Sequence, residues 1–155
     1  MMRTQVLGSV LEDALYIADN LRPADAKEIE AMVGSDDYKE SLIEGFYYSV
    51  QPMTLHVDGK PAAMFGVVPT QEGEGCVWLL GTPAIEEVSL SFLRKSKPHL
   101  AQLMKDYDFV FNYAHKENHL HLKWLKWLGF DISEPVESSD FVFISYSHQG
   151  EMIYV

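Results

Sequence analysis

Three histidines near residue 118 are the first candidates for chemistry. His115 and His119 are four residues apart, a spacing that places two imidazoles on one face of a helix and occurs in zinc sites. The segment differs from the His-Glu-x-x-His pattern because its acid, Glu117, stands at the wrong position, and no further ligand is indicated beside His121. The pattern favours helix-start or surface roles, and we expect no metal.

The single cysteine, Cys76, is a candidate nucleophile. It opens a continuous apolar run over residues 76–80, and no histidine or lysine stands nearby in the sequence to lower its pKa. Core packing is therefore the expected role. One cysteine also excludes an internal disulfide and fits a reducing compartment.

Two acids and two tryptophans are further candidates for a catalytic or binding role. Glu86 and Glu87 fall in the first turn of a predicted helix, where acids stabilise the helix dipole, and we interpret them so rather than as catalytic bases. Trp124 and Trp127 are three residues apart, which predicts that they bury their helix against the sheet. Part of this aromatic surface is instead a candidate anchor for a protein partner.

Composition limits the classes of partner. The chain has 155 residues, of which 47% are apolar, and it predicts one globular domain over residues 1–155. Twelve basic against 23 acidic residues give a net charge of -11, which disfavours nucleic acid and anionic membranes. The apolar N-terminal run is broken early, and no stretch approaches the ~18 apolar residues of a membrane helix, so we expect a soluble intracellular protein.

Apolar periodicity and turn residues place the elements around these candidates. A Ser9-Val10-Leu11-Glu12 capping box should start the first helix, Pro98 should kink or divide the fourth, and Asp58-Gly59 should close a hairpin. The predicted helices span residues 9–20, 25–32, 38–50, 85–105 and 118–128. The predicted strands span residues 53–57, 62–68, 76–80, 109–111 and 141–146. Residues 152–155 are left open between an edge strand and a surface segment.

This order of elements predicts an α/β (α+β) fold, a mixed central sheet with helices on both faces. Within it, the run Asn118-x10-Gly129-Phe130 on a helix after a buried strand resembles the last conserved motif of the GNAT superfamily of N-acetyltransferases. The resemblance covers nearly the whole chain and implies a GNAT-like fold.

Other segments are similar to a narrower family, the internal virion protein A family of T7-like podophages. They are Ile17-Ala18-Asp19-Asn20-Leu21-Arg22-Pro23 with Asp25 and Glu28, then Gly81-Thr82-Pro83, Phe92-Leu93-Arg94 and Trp124-Leu125-Lys126-Trp127-Leu128-Gly129-Phe130. This resemblance implies a phage protein of the particle's internal core, with other phage virion proteins as partners. It implies the host cytoplasm during infection as the location and leaves retention in the virion open.

The GNAT resemblance also implies where acetyl-CoA would bind. In GNAT enzymes its pyrophosphate lies on backbone N–H groups of a Gly-rich loop after the fourth strand. Here the corresponding junction, residues 81–89, has the single glycine Gly81, and Pro83 removes one donor. If acyl-CoA binds, the candidate groups are the backbone near Leu80 and Gly81 and the Asn118 side chain.

A second difference concerns the proton donor. Many GNAT enzymes carry a tyrosine seven residues after the asparagine of this motif, where it protonates the departing thiolate. This sequence has Leu125 there, which can donate no proton. Tyr113 and Tyr146 lie on neighbouring strands, but core or rim packing is favoured for both. His121 also replaces the small residue usual three positions after the asparagine. We predict no catalytic residue.

Three functions are consistent with these residues. The first is a phage morphogenesis protein that acts through protein contacts, without efficient acetyl transfer. The alternative is an acetyl-CoA-dependent N-acyltransferase with a divergent cofactor cradle. The third is a small host-interaction protein whose acidic surface occupies a basic site, which the net charge of -11 permits without indicating it.

Overall fold

A mixed sheet of seven strands is the centre of the computed structural model, which describes residues 2–147. The strands in chain order are β1 (Thr4–Gly8), β2 (Met53–Val57), β3 (Lys60–Pro69), β4 (Glu74–Gly81), β5 (Phe109–His115), β6 (Asp131–Ile132) and β7 (Phe141–Ser147). The helices are α1 (Leu11–Asp19), α2 (Pro23–Val33), α3 (Tyr38–Tyr48), α4 (Ala84–Glu87), α5 (Ser89–Met104) and α6 (His119–Trp127). The spatial order of the strands is β1-β2-β3-β4-β5-β7-β6.

One strand pair differs from the rest. β4 and β5 run parallel, whereas the other neighbouring pairs are antiparallel. They pair at only three positions, from Glu74 opposite Phe109 to Cys76 opposite Phe111. β4 continues to Gly81 and β5 to His115 without further pairing between them. The sheet therefore has a gap in its middle, between the carboxyl halves of β4 and β5.

The two faces of the sheet carry separate cores, which confirms the predicted mixed sheet with helices on both sides. One core joins the sheet to α5 and α6 through Phe65, Phe92 and Trp124. The other joins it to α1, α2 and α3 around Met64 and Leu80. No helix within residues 2–147 is long and apolar enough to cross a membrane.

Two turn predictions are confirmed. Asp58 and Gly59 have φ angles of 50° and 83°, the pair of positive values that a two-residue hairpin turn needs. Gly129 has a φ of 98° directly after the last helix, as expected for a glycine that ends a helix. The predicted hairpin strands and the 118–128 helix agree with β2, β3 and α6 to within a few residues.

The start of the first helix differs from the prediction. Its N-cap is Val10, whose N–H donates to Asp13 Oδ2 at 3.1 Å, so the reciprocal acid is Asp13 rather than Glu12. Ser9 instead bonds the hydroxyl of Thr54 on β2. This contact accompanies the pairing of β1 with β2. The sequence did not predict β1, because most of the side chains of that strand are exposed.

The division of the fourth predicted helix is also different. The break falls at Val88, between α4 and α5, and Pro98 lies inside α5. Pro98 has no N–H to donate within the helix. The carbonyl that would accept this hydrogen bond belongs to Arg94, an exposed residue, so water can bind the carbonyl instead. Smaller corrections concern the third helix, which ends at Tyr48, and the short strand β6, which was not predicted. Residues 152–155 lie outside the described residues.

Candidate functional site

The gap between β4 and β5 exposes backbone groups that a continuous sheet would pair. At the end of β4 the N–H of Thr82 donates to Ala62 of β3 at 2.8 Å. Because alternate residues of a strand point their peptide groups to opposite sides, the N–H and C=O of Gly81 face the gap. On β5 the N–H of His115 also points away from β7, toward the same gap.

Helix α2 supplies the partners of these groups. The Asp25 carboxylate accepts the N–H of Gly81 at 2.9 Å, and the Glu28 carboxylate accepts the N–H of His115 at 2.7 Å. The N–H of Arg22, the residue that precedes α2, donates to the C=O of Gly81 at 2.8 Å. Three residues spaced three apart at the start of one helix thus replace the strand pairing that is missing here.

Asn118, at the start of α6, closes the cluster from the other side. Its Oδ1 accepts from Arg22 Nη2 at 2.6 Å, and its Nδ2 donates to Asp25 Oδ1 at 2.9 Å. Arg22 also pairs with Asp25 at 3.1 Å and lies 3.6 Å from Glu86 of α4. Arg22, Asp25 and Asn118 are all at most 5% exposed, so this ionic network is formed away from water.

A second buried pair lies one turn further along α2. His121 Nδ1 and Glu28 Oε1 are 3.2 Å apart. Burial opposes protonation of His121, but the negative charges of Glu28 and Asp25 outweigh it, and the pKa of His121 is raised. Burial likewise raises the pKa of Glu28, and the charge of His121 with the His115 N–H outweighs it, so the pKa of Glu28 is lowered. Both shifts favour an ion pair.

This pair gives the stability a defined pH dependence. The raised pKa of His121 contributes stability that is complete below its ordinary 6.5 and is lost as the pH rises through the folded value. The lowered pKa of Glu28 contributes stability that is complete above its ordinary 4.5. Glu28→Gln should therefore lower the free energy of unfolding in urea most near pH 6 and less at pH 9.

An equal loss of free energy at both pH values would contradict the ion pair. Glu134→Gln, in an exposed loop, is the matched control.

The three residues predicted to hold acyl-CoA all lie at the open end of the gap. The N–H of Gly81 and the Nδ2 of Asn118 both donate to the Asp25 carboxylate. Leu80 is 9% exposed and belongs to the core between the sheet and helices α1 to α3. The backbone of Gly81 and the side chain of Asn118 are thus hydrogen-bonded within the protein. Their proposed role toward a cofactor stays a prediction.

The aromatic residues divide between core and surface. Trp124 is fully buried, stacks on Phe92 at 5.8 Å and donates from Nε1 to Ser96 Oγ at 2.9 Å, so α6 packs directly on α5. The expectation that Trp127 is buried too is wrong, because it is 45% exposed with Lys97 Nζ 5.3 Å from its ring. Its position on the outer face of α6 explains the difference.

Leu125 and the two tyrosines can be placed as well. Leu125 is fully buried in the core on the α5 and α6 face. Tyr113 is half-exposed on β5 beside Phe143, and Tyr146 on β7 packs against Phe130. These are the rim and core positions that the sequence favoured.

The remaining candidates take structural positions. His115 Nδ1 accepts the N–H of Glu117, and His119 is exposed. Within residues 2–147 no group of three metal-ligating side chains comes together. Cys76 is half-buried on β4, and burial raises the pKa of its thiol to about 11, which keeps it protonated and a poor nucleophile.

Arg22, Asp25 and Glu28 were missed as a site. Asp25 and Glu28 have the acid-x-x-acid spacing of an ordinary helix start, which does not single them out. The available signal was the arginine three residues before Asp25, since an i, i+3, i+6 series of charges occupies one helix face. Nothing in the sequence says that this face is buried.

Solved structures of similar fold put this arrangement in context. The PaiA N-acetyltransferase of Thermoplasma acidophilum, in complex with coenzyme A, is 11% identical with a TM-score of 0.61 and matches 94% of this chain and 99% of its own. The aminoglycoside acetyltransferase AAC(6')-Ib with ribostamycin and coenzyme A is 12% identical with a TM-score of 0.64, and 97% of each chain is covered.

The ribosomal-protein-S18-alanine N-acetyltransferase of Escherichia coli is 14% identical with a TM-score of 0.62, covering 99% of this chain and 100% of its own. No protein-family model matches the sequence, and the search of curated proteins gave no match. Identity this low shows the fold alone, and the fold is that of the GNAT N-acetyltransferases. The predicted GNAT-like fold is confirmed.

Proposed function

We propose that this chain is an internal virion (core) protein or morphogenesis factor of a T7-like podophage. It acts through protein contacts on its GNAT-like scaffold and without efficient acetyl transfer. The observation that carries the proposal is that side chains of the protein itself bind the backbone groups that border the gap between β4 and β5. Asp25 and Glu28 of α2 accept the N–H groups of Gly81 and His115 that border it.

The first residues of the junction after β4 support the same proposal, because three of their backbone donors are engaged. The N–H of Gly81 donates to Asp25, that of Thr82 to Ala62, and that of Ile85 to Thr82, while Pro83 has none. A pyrophosphate needs several unpaired N–H groups that converge on it. The residues present do not fit such a cradle, and Glu86 adds a negative charge beside it.

The segments that resemble the phage family are also the segments that build the buried cluster. Arg22, Asp25 and Glu28 belong to the first of them and Gly81 to the second. In this proposal those residues stabilise the gap between β4 and β5, and the outer surface contacts other core proteins. Trp127, exposed on α6, is a candidate anchor for such a contact.

Co-purification tests the partner half of the proposal. The chain, tagged at one terminus and expressed with the other internal core proteins and the portal of its phage, should be recovered in a complex at mild salt. Trp127→Ala should weaken recovery, and Trp127→Phe should retain more of it. Failure of every core protein and the portal to associate would contradict the proposal.

The alternative is an acetyl-CoA-dependent N-acyltransferase, and the observation in its favour is that similar folds crystallised with coenzyme A. Cofactor would then have to displace the Asp25 carboxylate from Gly81 and Asn118. We expect a calorimetric titration with acetyl-CoA to show no saturable binding up to millimolar ligand, with an active acetyltransferase as the positive control. Saturable micromolar binding would overturn the non-enzymatic part of the proposal in favour of the alternative.

A further inference from the structure

The helices on the two faces of the sheet carry opposite charges. α5 and α6 contain no acidic residue, although the chain has 23 of them. Their exposed bases are Arg94, Lys95, Lys97, Lys123 and Lys126. The exposed charged residues of α1 to α3 and the turn before α3 are mostly acidic: Glu12, Asp19, Glu30, Asp36, Asp37, Glu40 and Glu44, with Lys27 and Lys39. The molecule therefore has a basic helical face and an acidic one.

The acidic face contains an apolar groove. A cavity of about 390 Å³ lies between α2 and α3, and Trp78 and Leu80 of β4 form part of its wall. Met32 of α2 and Tyr48 of α3 also line it, and they remain 44% and 67% exposed. None of the described residues that line it is a lysine or an arginine. Large apolar side chains left in water around a concave surface indicate a binding site for a partner.

Glu44 adds negative charge to this groove, since it lines the cavity from α3. The charges of Glu44 and Asp37 raise the pKa of Glu40, so the three carboxylates lie close enough to repel one another. A positive charge brought to this wall would relieve the repulsion. The groove therefore suits a partner that presents a large apolar side chain surrounded by bases.

The basic face of this same chain presents such a group. Trp127 remains 45% exposed, and Lys97 Nζ lies 5.3 Å from the centre of its ring. Lys123 stands four residues before Trp127, on the same side of α6, and Lys126 is its neighbour in the sequence. Tryptophan is enriched among the few residues that dominate the binding energy of protein interfaces.

We infer that the chain associates head to tail with further copies of itself, and that Trp127 of one copy enters the groove between α2 and α3 of the next. The two surfaces lie on opposite faces of the sheet, so the contact is heterologous and each added copy offers a new groove and a new tryptophan. Contact between two acidic faces would bring like charges together, in a chain of net charge -11. A second copy is favoured as the occupant because its basic face supplies both the aromatic ring and the positive charge.

The inference goes beyond the proposed function, since it needs neither a phage partner nor acetyl-CoA. Sedimentation velocity of the purified chain measures it. We expect the average mass to rise past that of a dimer between micromolar and millimolar chain at low salt. The association constant should fall about tenfold or more in about 1 M salt, where the screening length is about 3 Å. A chain that stays monomeric at millimolar concentration, or whose mass stops at a dimer, would overturn the inference.

Mixing two variants distinguishes a head-to-tail contact from a contact between identical faces. Trp127→Ala loses the anchor and keeps the groove, whereas Glu44→Lys combined with Tyr48→Ala alters the groove and keeps the anchor. All three positions are exposed, and circular dichroism checks that both variants are folded. Each variant alone should associate about tenfold or more weakly, the loss expected of an interface anchor. An equimolar mixture should form a complex of two chains and no larger, and a mixture that stays monomeric would contradict the inference.

Glu134→Lys combined with Val136→Ala is the matched control for the groove variant. It makes the same change of charge and also removes exposed apolar surface, in the loop between β6 and β7. This control should associate as the unmodified chain does, and an equal loss in it would overturn the role of the groove. Self-association of the purified chain without binding to any core protein would contradict the proposed function and leave this inference intact.

Discussion

Asp25→Ala is expected to lower the free energy of unfolding by about 3–5 kcal/mol, as is usual when one partner of a buried ionic network is removed. The substitution leaves the Arg22 guanidinium buried without its closest carboxylate and leaves the N–H of Gly81 and the Nδ2 of Asn118 without an acceptor. Urea unfolding of the purified chain at neutral pH measures the change.

Asp36→Ala is the matched control, because Asp36 is an exposed aspartate just after α2. It should change the free energy of unfolding by no more than about 0.5 kcal/mol. Asp25→Asn keeps one carbonyl acceptor and should fall between the two. A cost for Asp25→Ala as small as that of Asp36→Ala would show that α2 does not hold the β4 and β5 gap.

Trp124→Ala is expected to cost about 3–5 kcal/mol, the usual range for removing a large aromatic side chain from a core. Trp124 packs on Phe65 and Phe92, and its loss also leaves Ser96 Oγ without its donor. The space between α5 and α6 would then be a cavity that the backbone cannot close.

Trp127→Ala serves as the control on the same helix, since Trp127 is largely in solvent and its contact with Lys97 is worth about 0.5–1 kcal/mol. Thermal and urea unfolding of both variants should separate them by at least about 2 kcal/mol. Similar costs for the two tryptophans would contradict the packing of α6 described above.

The contribution of the sequence is clearest where neighbouring residues determine the structure. Asp58-Gly59 closes the hairpin and Gly129 ends α6, because glycine adopts positive φ angles without steric cost and aspartate tolerates them better than most residues. The helical and strand patterns gave most elements, and Asn118-x10-Gly129-Phe130 indicated the fold. Elements without a strong local pattern were missed, namely the mostly exposed β1 and the two-residue β6.

The candidate site depended on contacts that no local pattern contains. Asp25 and Asn118 are 93 residues apart in the chain and Arg22 and Asn118 are 96 apart, yet they form one buried network. Acids at a helix start have the same appearance in a sequence whether they face water or a gap in a sheet. Only the position of α2 over β4 and β5 distinguishes the two.

The sequence by itself determined the fold class and two groups that cannot act as donors, since Pro83 can donate no N–H and Leu125 no proton wherever they lie. Only the tertiary structure decided what occupies the gap between β4 and β5 and which nitrogen of His121 stays unpaired. The physical reason is that residue type fixes what a group can donate or accept, whereas burial and long-range packing fix whether it has a partner.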